Sequence, residues 1–133
     1  MATFRFRYAT DVPPTPAVLL NLAHPFDPTL QAPDRPALLD TGADQTVIPD
    51  RLIAARRLTE VNAVEVRSYD GARRRLSTYL IRLQIRDHAP IEVEVIASPD
   101  ISNVILGRDV SNRYTITLNG PAGRLTVSDD PAP

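Results

Sequence analysis

The 133-residue chain is long enough for one domain with a real core and too short for two, so it is expected to fold as a single unit over residues 1–133. Apolar residues make up 43% and charged residues 23%, and a net charge of −1 gives neither nucleic acid nor an anionic membrane an electrostatic reason to bind. The absence of cysteine excludes disulfides, thiolate metal sites and a cysteine nucleophile.

"TFRFRY" (3–8) alternates Phe4, Phe6 and Tyr8 against Arg5 and Arg7, the period of a strand. Those arginines interrupt the place where a secretory signal needs its apolar core, and no stretch reaches the apolar length of a membrane span, so a cytoplasmic protein is expected. "AVLLNL" (17–22) and "RPALLD" (35–40) are short apolar runs bounded by proline. Seven of the 13 prolines fall between 13 and 36, so segment 11–36 should be strands joined by stiff, proline-rich loops, one of them long. "PDRLIAARRL" (49–58) opens with Pro49 and an acidic first turn, as short helices do. In "EVRSYDGARRRLSTYLIRLQI" (65–85), Asp70-Gly71 is a tight-turn pair between two extended arms. "IEVEVIA" (91–97) alternates again, "GRDVSNRY" (107–114) has room for two helical turns, and "YTITLN" and "RLTV" flank a "GPAG" turn to make a terminal hairpin over 114–128. The apolar-strand-then-helix units at 37–57 and 101–113 suggest one duplicated template. The class is mainly β: a small closed or partly closed barrel with a hairpin flap and one or two short helices.

His24 and His88 stand far apart in proline-rich or turn contexts and read as surface residues, not as a metal site or a serine–histidine pair. All 15 basic residues are arginine, which reads as a coding habit and not as a binding device. The chemistry concentrates in "ALLDTGADQTVIPD" (37–50), where an apolar strand delivers Asp40 to a turn. A carboxylate at the end of a buried strand is costly unless it is solvated, shared or used. Gly42 lets its backbone come close and aim an N–H at that carboxylate, Thr41 offers a hydroxyl, and Asp44 adds a second acid before Val47 and Ile48 resume the core. Asp-Thr-Gly by itself also occurs in ordinary turns.

The full stretch "LLDTGADQTVIP", together with "NVILGRD" at 103–109, resembles the retropepsin-like aspartic proteases, the single-domain relatives of retroviral proteases. The resemblance covers about residues 35–118. It implies a retropepsin-type barrel and an aspartic endopeptidase that acts on extended peptide and needs no cofactor or metal. Such enzymes use two aspartates about 3 Å apart that share one proton and activate a water. Because this chain carries one Asp-Thr-Gly, the resemblance implies that the second aspartate comes from another copy, so that the site exists only in a homodimer.

Residue by residue, the resemblance makes Asp40 catalytic and gives Thr41 a hydroxyl bond across the dimer axis. Gly42 donates to the carboxylate and meets substrate backbone. Ala43 takes the alanine position of the family's loop. Asp44 binds substrate backbone and pairs with Arg108, which supports the loop. Tyr69, Asp70 and Gly71 fall at the flap tip against substrate, although Tyr69 also fits a packed cross-strand aromatic. Three features depart from the retroviral pattern: a flap poor in glycine with "RRR" (73–75) on its returning arm, the proline-rich insert, and the terminal hairpin. The alternative reading is a retropepsin-like module that binds peptide or dimerises without turnover.

Overall fold

Period-two patterning becomes strand almost wherever it occurs. The computed structural model describes residues 2–11, 13–67 and 71–130. In chain order the elements are β1 (Thr3–Arg7), β2 (Ala17–His24), β3 (Asp27–Leu39), β4 (Val47–Pro49), α1 (Asp50–Ala55), β5 (Glu60–Arg67), β6 (Arg73–Ile85), β7 (Ile91–Ser98), β8 (Val104–Leu106), α2 (Arg108–Ser111), β9 (Thr115–Asn119) and β10 (Arg124–Ser128).

The main sheet has the order β2-β3-β8-β4-β7-β6-β5, and β2 pairs again with β6. Strands β2, β3, β8, β4, β7 and β6 therefore close on themselves, while β5 stays outside the ring. The long strand β6 makes this possible by dividing its length. Its far end, Arg82–Ile85, pairs with Leu20–Ala23, and its near end, Arg73–Tyr79, pairs with β5. The result is the expected mainly-β, partly closed barrel with a projecting β5–β6 hairpin. Inward residues of the ring, among them Leu20, Leu22, Ile48, Ile81, Leu83, Val95 and Leu106, are wholly buried. Each such side chain contributes about 1.5–3 kcal/mol of transfer free energy to the fold.

The expectation of proline-rich loops over 11–36 needs correction. Residues 17–39 form a hairpin of two strands joined at Pro25-Phe26, and Pro28, Pro33 and Pro36 lie within β3 itself. β8 pairs with β3 only at Ala37–Leu39, so the rest of that edge of β3 is unpaired and tolerates residues without an N–H. A bulge takes up the strain: Asp34 adopts φ 53° and donates its N–H to Asn21 Oδ1 at 2.9 Å. Helix α1 is shorter than 49–58 because Arg57 turns left-handed at φ 52°.

The three-stranded sheet β1-β10-β9 realises the terminal hairpin, with β10 inserted between the first strand and β9. It roofs the turn after β6 and so overturns the surface reading of His88, which is only 2% exposed. The His88 ring lies between Phe4 and Tyr114, with Nε2 3.2 Å from the Val127 carbonyl. His24 is half-buried and its Nδ1 accepts the Phe26 N–H, which organises the β2–β3 turn. Arg73, Arg74 and Arg75 form a solvated face, with Arg73 3.6 Å from Glu65 and Arg74 paired with Asp100. Among the described residues no helix is long and apolar enough to cross a membrane.

Candidate active site

Two apolar strands running in parallel bring the two sequence motifs together. Ala37, Leu38 and Leu39 pair with Val104, Ile105 and Leu106, and the Asp40 N–H extends the ladder by donating to the Leu106 carbonyl at 3.0 Å. Beyond that point both chains turn. The Gly42 N–H donates to Asp40 Oδ1 at 2.9 Å and the Ala43 N–H to the Asp40 carbonyl at 3.2 Å. A Cβ at residue 42 would sit 3.1 Å from that same carboxylate oxygen, so any side chain here would press on the carboxylate and shift it.

The 107–109 turn clamps this loop from beneath. The Arg108 N–H donates to the Ala43 carbonyl at 2.8 Å, and its Nη1 donates to the Thr41 carbonyl at 2.8 Å. A Cβ on Gly107 would fall 2.7–2.9 Å from backbone atoms of Gln45, so no other residue fits without moving the loop. Thr46 is fully buried and all its polar groups are satisfied. Its N–H donates to Asp109 Oδ2 at 3.0 Å, its hydroxyl donates to Asp109 Oδ1 at 2.7 Å and accepts the Gly107 N–H at 3.1 Å, and its carbonyl accepts the Ile96 N–H at 3.0 Å. Gln45 ties the same loop to β7 by donating Nε2 to the Glu94 carbonyl at 3.1 Å.

The outcome is a rigid loop that holds Asp40, Thr41, Gly42 and Asp44 exposed, with Ala43 half-buried beneath them. Among the described residues the Thr41 hydroxyl has no partner within the chain. Nor does any group of three or more His, Asp or Glu side chains there converge as metal ligands.

The Retroviral aspartyl protease family model matches residues 28–119, more than half of the sequence and the whole of this arrangement. The chain belongs to that family. Its fold is similar to that of EIAV protease complexed with an inhibitor, with a TM-score of 0.55 at 19% identity, covering 74% of this chain and 86% of that one. It is also similar to a retropepsin-like aspartic protease from Rickettsia conorii, with a TM-score of 0.59 at 11% identity, covering 95% of this chain and 91% of that one. Curated proteins give no significant match.

Within this retropepsin-like frame the expected Asp44–Arg108 ion pair is absent. Arg108 is exposed and spends its guanidinium on the Thr41 carbonyl, while Asp44 pairs with no cation among the described residues. The physical reason is that the Thr41 carbonyl on the same loop already takes the guanidinium, while the adjacent acid, Asp109, anchors the turn through the buried Thr46. The reading of the motif missed Thr46 and Asp109. The available signal was a polar residue placed directly before the core pair Val47-Ile48 and a carboxylate directly after Gly107-Arg108. At the flap, Tyr69 and Asp70 lie outside the described residues. Gly71 is described, at φ 84°, the left-handed conformation a tight hairpin turn calls for.

Proposed function

We propose that this chain is an aspartic endopeptidase whose active site forms between two copies, each supplying Asp40. The observation that carries the reading is the state of the Asp-Thr-Gly loop. It is rigidly clamped, intact, and turned outward with an exposed carboxylate and a Thr41 hydroxyl that has no partner in its own chain among the described residues. Residues 1–133 would act as one such unit, in the cytoplasm.

Two Asp40 carboxylates brought close cannot both ionise, so one keeps a proton. The ionised one takes a proton from a bound water, which attacks the scissile carbonyl carbon. The protonated one donates to the carbonyl oxygen as charge develops there. Gly42 and Asp44 would hold the substrate backbone beside Ala43, and the flap hairpin with Tyr69, Asp70 and Gly71 would close over it. The peptide would lie extended, bonded through its main chain as an added strand.

The test is cleavage of a diverse peptide mixture, read by mass spectrometry, for wild type and Asp40→Asn. The substitution is nearly isosteric, keeps the acceptor for the Gly42 N–H and removes the acid–base group. Wild type should cleave and Asp40→Asn should not, with unchanged melting. An intact dimer that binds peptide and cleaves nothing would favour the non-catalytic module instead.

A further inference from the structure

A cavity of about 550 Å3 lies where β1 faces the start of β2, away from the Asp40 loop. Phe6, Val18 and Pro36 give it an apolar floor, and Arg5, Arg7, Arg86 and Arg124 stand around it. Among the described residues no acidic side chain lines it. None of the four guanidinium groups forms an ion pair or donates a hydrogen bond among the described residues, although the chain as a whole carries a net charge of −1. The one contact in this set is that of Arg86, whose guanidinium lies 5.0 Å over the Phe6 ring.

Arginines on an exposed strand edge can serve simply to block unwanted pairing. That accounts for Arg5 and Arg7, since β1 pairs only with β10. It does not account for Arg124, which sits on the central strand of its sheet, nor for Arg86 in the turn after β6. Arg86 holds φ 50°, a conformation side chains of its kind rarely adopt, in the position that brings its guanidinium to the same cavity. Four arginines from three separate elements thus line one cavity with no acidic residue in its described lining, an arrangement that favours an anion there.

We propose that this cavity binds an amphipathic anion, an aliphatic chain of about ten carbons with a carboxylate or phosphate head. The volume falls in the range of small-molecule sites, roughly 300–1,000 Å3. The tail would lie over Leu19 and Pro36, the more exposed apolar lining, and the head would take the planar donor forks that arginine presents to carboxylate and phosphate alike. The lining residues Ala17–Leu19 pair with Pro36–Leu38, two residues short of Asp40, yet the cavity shares no residue with the loop.

Calorimetric titration of the intact chain decides it, using decanoate and decyl phosphate below their micelle concentrations. The controls are decyltrimethylammonium, acetate and inorganic phosphate. Saturable one-to-one binding of a decyl anion is expected, with no saturation by the decyl cation or by either head alone. The better of the two heads identifies the source. Arg7→Gln/Arg86→Gln should weaken the anion by about tenfold or more while its ligand-free melting stays near wild type. Arg7→Lys/Arg86→Lys should keep more of the affinity. No saturable binding, equal binding of cation and anion, or an anion affinity indifferent to the Gln pair would each overturn the proposal. Should the Gln pair fail to fold, the contrast between anion and cation on wild type decides alone.

Discussion

Thr46 makes its hydrogen bonds from a wholly buried position, and two of them end on the Asp109 carboxylate. Removing the hydroxyl strands the Gly107 N–H, at a cost of about 1–3 kcal/mol, and leaves Asp109 Oδ1 with the Val110 N–H alone. Thr46→Val and Asp109→Ala should therefore each lower the melting temperature clearly. Their double mutant should be less damaged than the sum, by a coupling of about 1–3 kcal/mol. Urea unfolding of the four proteins measures this, and strict additivity would mean the bond carries no stability. Arg108 and Asp44 should behave oppositely. Both are exposed and unpaired with each other, so Arg108→Met should cost about 1 kcal/mol or less in stability. With Asp44→Asn it should be additive. Its effect belongs to the conformation of the Thr41 carbonyl, so a loss of cleavage rate without a loss of melting temperature is the expected signature. An Arg108→Met protein that unfolds outright would instead point to a buried role for the guanidinium.

At the scale of elements, period-two patterning located most strands because most set a core face against a wetter one, a difference written residue by residue; β5, exposed or half-buried along its whole length, is held by its pairing with β6 instead. The loop geometry at Asp40 was legible for the same reason: Gly42 must be small and Asp40 must follow an apolar strand, both of which are local facts. What the patterning could not show were consequences of neighbours distant in sequence. The prolines of β3 read as loop because nothing local reveals that β8 covers only its last residues. His88 read as surface because its burial is imposed by β1, β9 and β10, from opposite ends of the chain. This histidine makes the three-stranded sheet testable as a unit. His88→Ala should open a cavity between Phe4 and Tyr114 and remove the contact with the Val127 carbonyl, at a cost of about 2–4 kcal/mol. Hydrogen exchange should then quicken in β10 and β1 more than in the ring strands β6 and β7. Equal quickening everywhere would mean that the small sheet and the barrel melt as one body. The neighbouring Tyr114 phenol is pushed above its ordinary value by burial, so the folded state holds that proton more tightly than the unfolded one. Its share of stability is present below the unfolded value of 10.0 and is lost as pH climbs past it.

For the molecule as a whole, the proposed function would make activity a property of assembly, because the Asp40 loop lies exposed. In this chain β10 occupies the place between β1 and β9, so the proposed dimer would meet its second copy through surfaces the small sheet leaves open, including the outer edge of β9. Leu118 on that strand is 52% exposed. If one site needs two chains, cleavage rate per chain should fall on dilution through the dimer dissociation constant, and the total rate should rise more steeply than linearly with concentration. Mixing supplies the stronger test. With random exchange, adding an equal amount of Asp40→Asn should reduce the rate from a fixed amount of wild type to roughly half, and a large excess should extinguish it. The pH profile should be bell-shaped for the same reason. Protonating both carboxylates removes the base at low pH, and ionising both removes the acid at high pH. The limbs belong to the pair, so a dead partner abolishes the profile instead of shifting it. A rate strictly linear in concentration, from a protein that sedimentation shows to be monomeric and that excess Asp40→Asn leaves untouched, would place the whole active site within one chain.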